Sequence, residues 1–477
     1  MGLLNRILRR DPKSADVPNK QVRRFDAAAG GRRWDSHPTM GNIGAETLWA
    51  GMRVRERARY FVANNPYAAA GVNALATAIV GAGIVAASKH PDAAIRQAIG
   101  AAVDRWAPQA DIDGLTDLYG LQAAAVLAMI VDGEAFMHFV TTAEGLRVRL
   151  LPAEMVDQHH TIDLGGGARV IGGIEFDQAG RRVAFWISPV RPEDFTISYL
   201  PPVRVPASEI LHLYRPLGAG QVRGISWLAP VLLRLNELDQ LEDALLVGAK
   251  VAAMHAGFLV DQNGTAGEPY DGQQIGSILE SGLEPGTLKF VPGGYDVKFS
   301  TPQQAAQGVE FGKRQLYAIS AGLGVPYHLL TGDLSGANYS SLRAGTVAFN
   351  SRCEQIQFQT VIPQMVRPTF NRAISTLVLS GALDAPDFER NVADYYAADF
   401  YPPAQPWVDP LKDQEAEALA VQQGFKSRRQ VVAAQGFSVE SLDVEIAADR
   451  AREKALGLTF PTAAVVTSVP KQEFPDA

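Results

Sequence analysis

Residues 230–254, PVLLRLNELDQLEDALLVGAKVAAM, decide how the rest of the chain is organised. Pro230 suits the first turn of a helix, and the leucines that follow recur at helical spacing. At about 1.5 Å per residue, the segment predicts a helical rod on the order of 40 Å long. Its leucines lie on one side and its polar residues on the other. The polar stripe, typical in isolation of a solvated helix face, consists of Asn236, Asp239, Gln240 and Asp243.

A small insert, a second helix, a loop and a third helix are predicted after this rod. The insert is β-rich, with a hairpin turn expected at Gly293-Gly294. The second helix is predicted over 304–323, where glycines and then Pro326 end it. TGDLSGANYSS (331–341) reads as a polar loop, and the third helix is expected from Leu342 to about Ile362. Cys353 falls on the apolar face of that helix, which predicts a core residue and not a reactive thiol.

The chain before the rod combines helices with an antiparallel sheet, so its fold class is α+β. Two helices are expected over 46–79 with a break at Asn65-Pro66, and two more over 91–106 and 115–131. From 134 to 213 the helical period gives way to short β-type runs bounded by Gly, Pro, Asp or Asn. After a proline-rich linker over 401–410, short charged helices form a small C-terminal domain, and the last twenty residues have a disorder-like composition.

Composition and charge limit the classes of function. The 477 residues are 47% hydrophobic and 20% charged, which is ordinary for a folded chain of two or more domains. The net charge of -7 argues against a protein whose whole surface binds phosphates. Residues 1–33 nevertheless carry nine Arg or Lys and three Asp, a balance of +6, and are expected to form a basic arm. One cysteine suits a reducing compartment, and no apolar run is long enough to cross a membrane.

Motifs for catalysis or cofactor binding are not convincing anywhere in the sequence. GVEFGKR (308–314) has the wrong glycine spacing for a phosphate-binding loop, and GAGQVRG (218–224) is one residue off a dinucleotide fingerprint. His159-His160 lacks a metal-ligand frame. Glu242-Asp243 reads as solvated helix surface rather than as an acid and base pair. We therefore expect no catalytic residue, no cofactor and no metal.

Several segments, in this order and spacing, resemble the lambda-like phage portal protein family. They are FDAAAGGRRW (25–34), RVRERARYFVANNPYAAAGVNALATAIVGAGI (53–84), VRGISWLAPVL (222–232), LYAISAGLGVPYHLLTGDLSGANYSSLRAG (316–345) and WVDPLKDQEAEALAVQQG (407–424). The resemblance implies a ring of identical subunits, typically twelve, at one capsid vertex, through which double-stranded DNA passes during packaging and ejection. It also implies docking of the terminase large subunit and of a head-completion or adaptor protein, contact with capsid and scaffolding proteins, and no membrane. The implied location is the virion, and the host bacterial cytoplasm during assembly.

The resemblance also implies the portal protein fold, an α+β wing, a two-helix stem, a β-rich clip, a tunnel loop and helix, and a helical crown. Carried onto this sequence, the parts are a basic arm at 1–45, the wing at 46–225, stem helices at 226–255 and 303–325, the clip at 256–302, the tunnel loop at 326–341, the tunnel helix and wing return at 342–400, the crown at 401–457 and a disordered tail at 458–477.

The resemblance changes how two polar segments are interpreted. In a ring whose stem helices line the bore, Asp239 and Asp243 would repel phosphates and keep DNA sliding. The loop Leu334 to Ser341, including Asn338, Tyr339 and Ser340, would project into the channel. Arg343 lies in the first turn of the next helix, where a cation is unfavourable, so a phosphate neighbour would offset that cost.

Two other classes of phage protein remain open at this stage. One is another head structural protein, either a coat or a head-completion protein, against which the order of helix, insert and helix counts. The other is a DNA-packaging enzyme such as a terminase or nuclease, which would need a phosphate-binding loop or a metal-binding carboxylate cluster.

Overall fold

A computed structural model describes residues 40–192, 200–253, 303–336, 338–404, 410–436 and 439–458, and short strands between 257 and 291. The chain divides into two units, residues 1–43 and 44–477. Only residues 40–43 of the first unit are described. The predicted basic arm, the turn at Gly293-Gly294 and the C-terminal tail therefore lie outside the described residues, apart from the arm's last residues and Leu458.

Helices make up most of the second unit. Their bounds are α1 Ile43–Asn64, α2 Pro66–Ile79, α3 Ala93–Trp106, α4 Leu118–Val131, α5 Leu232–Ala253, α6 Gln303–Leu323, α7 Tyr327–Thr331, α8 Tyr339–Ile356, α9 Arg367–Leu379, α10 Val392–Tyr396, α11 Pro410–Gln422, α12 Arg428–Ala434 and α13 Val439–Leu456. The break predicted between α1 and α2 is confirmed, because the Asn65 side chain caps α2 by accepting the Ala68 N–H at 2.9 Å.

The strands form small sheets. Their bounds are β1 Val85–Ser88, β2 Glu134–Thr142, β3 Gly145–Leu151, β4 Ile162–Gly165, β5 Ala168–Ile171, β6 Ile174–Phe176, β7 Arg182–Ile187, β8 Val203–Pro206, β9 Ile210–Tyr214, β10 Gly257–Val260, β11 Gln273–Ile275, β12 Ile278–Glu280, β13 Leu288–Val291 and β14 Ala398–Tyr401. A three-stranded sheet has the order β3-β2-β9, and a five-stranded meander runs β4-β5-β6-β7-β8. Both are antiparallel throughout, which confirms the sheet predicted over 134–213.

The long helices α5 and α6 lie side by side and run antiparallel. A Cβ on Gly308 would meet Leu245, and one on Gly322, near the other end of α6, would meet Val231 just before α5. Midway, the Arg234 side chain donates to Gln315 Oε1 at 2.9 Å. The sequence pattern predicted both helices to within two residues, whereas the stem helix implied by the resemblance, 226–255, begins six residues too early. In the insert between them, β10 pairs with β13 in parallel and β11 with β12 antiparallel.

The main hydrophobic core surrounds α2. Val72, Leu75 and Ile79 of that helix are fully buried against α4, α7 and α8. Cys353 of α8 lies in this core and is fully buried, as predicted, and burial raises the pKa of its thiol to about 11. A second cluster joins the two sheets through Phe136 and Phe185.

The third long helix differs from the prediction at both ends. It begins at Tyr339 instead of Leu342, because Asn338 and Ser341 form a capping box there. It is α-helical only to Ile356, and residues Gln357–Val366 continue as a π-helix that contains Pro363. In a regular α-helix the ring of Pro363 would clash with the carbonyl group four residues before it, and the wider winding relieves that clash.

Candidate functional site

The two aspartates of the polar stripe on α5 have different surroundings: one contacts another helix, and the other faces solvent. Asp239 is an exposed residue whose Oδ1 accepts a hydrogen bond from Asn65 Nδ2 at 2.6 Å. Asn65 is itself buried at the start of α2, where the helix dipole favours a negative charge. Asp239 therefore holds α5 against the N-terminus of α2. Asp243, one turn further along, is exposed and makes no hydrogen bond or ion pair with any described residue.

A second carboxylate of α5 reinforces the contact with α2. Glu242 Oε1 accepts a hydrogen bond from the Tyr67 hydroxyl at 3.3 Å. Burial raises the pKa of Tyr67, and the nearby Glu242 raises it further. The Tyr327 ring of α7, whose proximity also raises that pKa, is 4.4 Å from the Tyr317 ring of α6. The polar contacts therefore join α5 to the start of α2, and the ring contact joins α6 to α7.

The polar loop before α8 is shorter than predicted. Gly332 ends α7 in a left-handed conformation with φ 71°, and Asp333 Oδ1 accepts the Ser335 N–H at 2.9 Å. Asn338 closes the loop: its Oδ1 accepts the Ser341 N–H at 2.8 Å, and its own N–H donates to Ser341 Oγ at 3.1 Å. The predicted loop residues from Tyr339 to Ser341 therefore form the first turn of α8.

The remaining predicted residues lie at the start of α8. Asn338 and Ser340 are exposed, whereas the side chain of Tyr339 lies outside the described part of the chain. Arg343 Nη2 donates to Asp413 Oδ1 of α11 at 3.1 Å, and its side chain is 45% exposed. Asp413 supplies the negative charge that the sequence interpretation had assigned to a phosphate.

The Arg343–Asp413 pair borders a cleft of about 880 Å³ between α8, β14 and the C-terminal helices α11 and α12. Across the described residues, no hydrogen bond or ion pair joins Asp239 or Asp243 to Asn338, Ser340 or Arg343. The structure thus places the predicted residues in two separate groups, one on α5 and one at the start of α8.

A buried charged cluster, which sequence reasoning missed, lies beneath the start of α5. Glu134 at the start of β2 is fully buried and accepts hydrogen bonds from Arg223 (2.6 to 2.9 Å), Arg55 (3.0 Å), His212 (3.0 Å) and the Gly224 N–H (2.9 Å). The remaining donors of Arg223 reach three carbonyl oxygens, those of Ala153, Val156 and Gly172. Every polar atom of the Glu134–Arg223 pair is therefore hydrogen-bonded, as a buried ion pair requires.

The cluster fixes its own protonation states. Burial raises the pKa of Glu134, but the Arg223 charge and the hydrogen bonds from His212 and Arg223 outweigh it, so the net direction is down and the carboxylate is ionised. Burial lowers the pKa of His212 to about 4, although the hydrogen bond to Glu134 and the charge of Glu134 raise it in part. The imidazole is neutral near pH 7, and its Nε2–H donates to Glu134 while Nδ1 accepts from Arg182 at 3.4 Å.

Close backbone contact locks the segment before α5 to the sheet. A Cβ on Gly224 would lie 2.1 Å from the Gly133 carbonyl oxygen, and one on Gly133, where φ is 91°, would lie 2.2 Å from Ile225 C. Neither glycine can be replaced without moving backbone. Together with the ion pairs, this contact sets the direction in which the chain leaves the β2–β9 sheet toward α5.

Comparison with known proteins identifies the family. A family model described as phage portal protein, lambda family, matches residues 30–357. The chain belongs to the lambda family of phage portal proteins. A curated relative, the probable portal protein of Halomonas phage phiHAP-1, is 25% identical over 433 aligned positions, and the match covers 86% of this chain and 82% of the relative.

Solved structures of gene transfer agent (GTA) particles are also similar to this portal protein. The neck of the native GTA particle, computed with C12 symmetry, is 15% identical, with a TM-score of 0.40 over 83% of this chain and 94% of that chain. The neck of the empty GTA particle, computed with C6 symmetry, is 16% identical, with a TM-score of 0.40 over 86% of this chain and 97% of that chain.

The family assignment favours a portal protein over a coat protein, a head-completion protein or a packaging enzyme, because the matching family and the curated relative are both described as portal proteins. The described residues contain no cluster of metal-ligating side chains, and none of their helices is long and apolar enough to span a membrane. Both Arg223 and Glu134 lie within the matched region. The resemblance included Arg223 and Gly224 in VRGISW, but nothing in that segment points to Glu134 as the partner of Arg223.

Proposed function

We propose that this portal protein assembles into a closed ring of identical subunits, typically twelve, around a channel for double-stranded DNA at one capsid vertex. The ring passes DNA inward during packaging and outward during ejection. Its partners are the terminase large subunit, a head-completion or adaptor protein, and the capsid and scaffolding proteins. It assembles in the host cytoplasm, remains in the virion, and has no catalytic site of its own. Support comes from the family assignment, which covers residues 30–357.

The parts of the fold divide among the tasks of a portal. Residues 46–225 form the wing, and α5 and α6 form the stem, with the β-rich insert between them as the clip. Residues 326–338, which include the short helix α7, form the tunnel loop, α8 and the helices behind it form the tunnel helix and wing return, and α11 to α13 form the crown. The antiparallel pairing of α5 with α6 supports this division, because a stem needs two long helices joined at one end by the clip.

The exposed apolar side chains of the stem carry the proposal of a ring. On α5, Leu233 is 73% exposed and Leu246 53%, and on α6, Val309 and Phe311 are about half exposed. These apolar side chains are not covered within one subunit. A neighbouring subunit in a ring would cover them.

Asp243 is the residue best placed to keep the channel from binding DNA. Asp239 is held by Asn65, so its charge is partly engaged within the subunit. Asp243 is exposed, and in a ring it would be repeated around the axis as a band of negative charge that repels phosphates. Asn338, Ser340 and Arg343 are the proposed tunnel residues, and 45% of the Arg343 side chain remains exposed beside Asp413.

A charge reversal on α5 tests this role. Asp243→Lys should leave ring assembly intact and slow DNA packaging, because a ring of lysines would attract phosphates. Glu237→Lys makes the same change on the same helix but about 120° away from Asp243, and should package normally. Equal packaging by Asp243→Lys and the unchanged protein, or equal slowing by both variants, would contradict the assignment of Asp243 to the channel.

A further inference from the structure

The charged side chains around the cleft between α8, β14, α11 and α12 are mostly paired within the subunit. Asp413 binds Arg343 at 3.1 Å, and Glu417 binds Lys426 at 2.7 Å. Arg429 binds a carboxylate of α13. Two lining side chains of opposite sign form no ion pair with a described residue, namely Glu354 and Arg367. A cleft lined by balanced charges does not concentrate ions of either sign, so it suits an uncharged guest.

Exposed apolar side chains and a β-strand also line the cleft. Val347 of α8 is 56% exposed, and Phe358, in the π-helix that follows, is 50% exposed. All four residues of β14, Ala398–Tyr401, belong to the lining. An apolar surface beside a strand is what an extended segment binds, because the strand offers main-chain hydrogen bonds and the apolar surface takes side chains.

One edge of β14 has no strand partner in the described part of the chain. β14 pairs with β1 in a two-stranded antiparallel sheet. The Lys89 N–H donates to the Ala397 carbonyl at 2.7 Å, and hydrogen-bonded pairs alternate along antiparallel strands. The N–H and C=O groups of Ala398 and Phe400 therefore point away from β1, and no described residue forms a hydrogen bond with them. An added strand would satisfy these groups.

The sequence after α13 contains a segment with the composition of a strand. Residues 462–469, TAAVVTSV, carry no charge, are mostly β-branched and are bounded by Pro461 and Pro470. The tail as a whole has a disorder-like composition, and a segment in such a tail can become ordered when it binds. An uncharged segment of this kind matches the balanced charge of the cleft.

The tail is long enough to bring this segment into the cleft of its own chain. Arg428 of α12 binds Asp443 at 2.7 Å, so the start of α13 lies beside a helix that lines the cleft. α13 ends at Leu456, about 20 Å further along the helix. The ten residues from Leu456 to Val466 span up to roughly 33 Å when extended, which is enough to return. Attachment to the same chain gives an effective concentration of about millimolar, which favours the chain's own tail over that of another copy.

From these observations we infer that residues 465–469 bind in the cleft of the same chain as an added strand on the free edge of β14, with apolar side chains against Val347 and Phe358. The segment then joins the C-terminal helices to α8, next to the Arg343–Asp413 pair. The inference goes beyond the proposed ring. It concerns contacts within one subunit, so it can fail while the ring stands, and it can hold in a monomer.

Disulfide formation in the full-length protein tests this binding. Val347→Cys is combined in turn with Val465→Cys, Val466→Cys or Thr467→Cys. Cys353 is fully buried, so the introduced thiols react on their own. Side chains alternate between the two faces of a strand, so mild oxidation should link residue 466 but not its two neighbours, or the reverse, always within one chain. Equal reaction at all three positions, reaction at none, or a ladder of linked chains would each overturn the inference, the ladder by showing that the tail of another copy occupies the cleft.

A matched control uses Leu379, which is 86% exposed at the end of α9. Arg367 at the start of α9 lines the cleft, so Leu379 lies about 18 Å along the helix from it, within reach of a tail that is not bound. Leu379→Cys with the same tail cysteines should give no disulfide. An equal yield of disulfide would show random collision and would overturn the inference.

Removal of the tail gives an independent readout. A water-soluble maleimide should label the introduced thiol of Val347→Cys slowly in the full-length protein. In a chain that ends at Leu458 the labelling should be about tenfold faster, the ratio expected when the segment occupies the cleft about nine-tenths of the time. A chain that ends at Pro470 keeps the segment and should be labelled as slowly as the full-length protein. Equal rates in all three chains would contradict the proposed binding.

Discussion

At the scale of single residues, Arg223 and Glu134 hold the segment that leads into α5 against the β2–β9 sheet. Both are almost completely buried, and every polar side-chain atom of the two is hydrogen-bonded, either to the other residue or to neighbouring side chains and backbone groups. A buried pair adds little net stability over a well-packed apolar pair, but removing one partner leaves the other charge buried and uncompensated. The pair therefore acts mainly by fixing one arrangement of sheet and helix.

Arg223→Met should lower the free energy of unfolding by about 3 to 5 kcal/mol, because Glu134 loses its main partner. Arg191→Met is the control: Arg191 also binds a carboxylate, that of Glu154, but is 49% exposed, and its loss should cost less than about 1 kcal/mol. Urea unfolding at one fixed protein concentration measures both. A loss below about 1 kcal/mol for Arg223→Met would refute the role given to the cluster.

His212 makes stability depend on pH. Its pKa is about 4 in the folded chain against 6.5 for the free side chain, so the unfolded state binds more protons between these values. Its contribution is present above pH 6.5 and is lost as pH falls toward 4, by about 3 kcal/mol in all. His212→Gln keeps an N–H donor for Glu134 but does not titrate. Unfolding measured from pH 7 to 4 should therefore show a shallower loss for this variant, and parallel curves would contradict the assignment.

At the scale of elements, the end of α6 depends on one glycine. Gly324 has φ 68°, and a Cβ there would lie 1.1 Å from the Arg352 nitrogen that donates to the Leu323 carbonyl at 2.7 Å. Gly324→Ala should cost more than about 1 kcal/mol of stability. Gly312→Ala, in the middle of α6 with its nearest neighbour 3.9 Å away, should be neutral or stabilising by up to about 1 kcal/mol. Thermal unfolding measures the stability of both variants. A similar loss of stability in both would show that the requirement for glycine is not specific to Gly324.

The elements that the sequence predicted well are those whose signals are local. Asn65-Pro66 places the break between α1 and α2, and the leucine spacing gives α5, because caps and periodicity act within a few residues. The expected start of the fourth helix at Leu115 was wrong, because Asp111 binds the backbone of that segment and holds it as a loop. The Glu134–Arg223 pair could not be predicted, since its members are 89 residues apart and nothing local links them.

At the scale of the whole molecule, two features are better explained by an assembly than by a monomer. Apolar side chains on α5 and α6 are exposed. The net charge of -7 suits a channel that must not bind the DNA it conducts. Each of these features is unfavourable or without consequence in a monomer and has a role in a ring.

The mass of the purified full-length protein in solution, measured by native mass spectrometry with images of the same sample by negative-stain microscopy, tests this account most directly. With subunits of 51.3 kDa, we expect one closed species of about twelve copies with a central hole. A chain that stays monomeric across salt and protein concentration, or that forms open filaments or closed shells, would contradict the proposal of a portal ring.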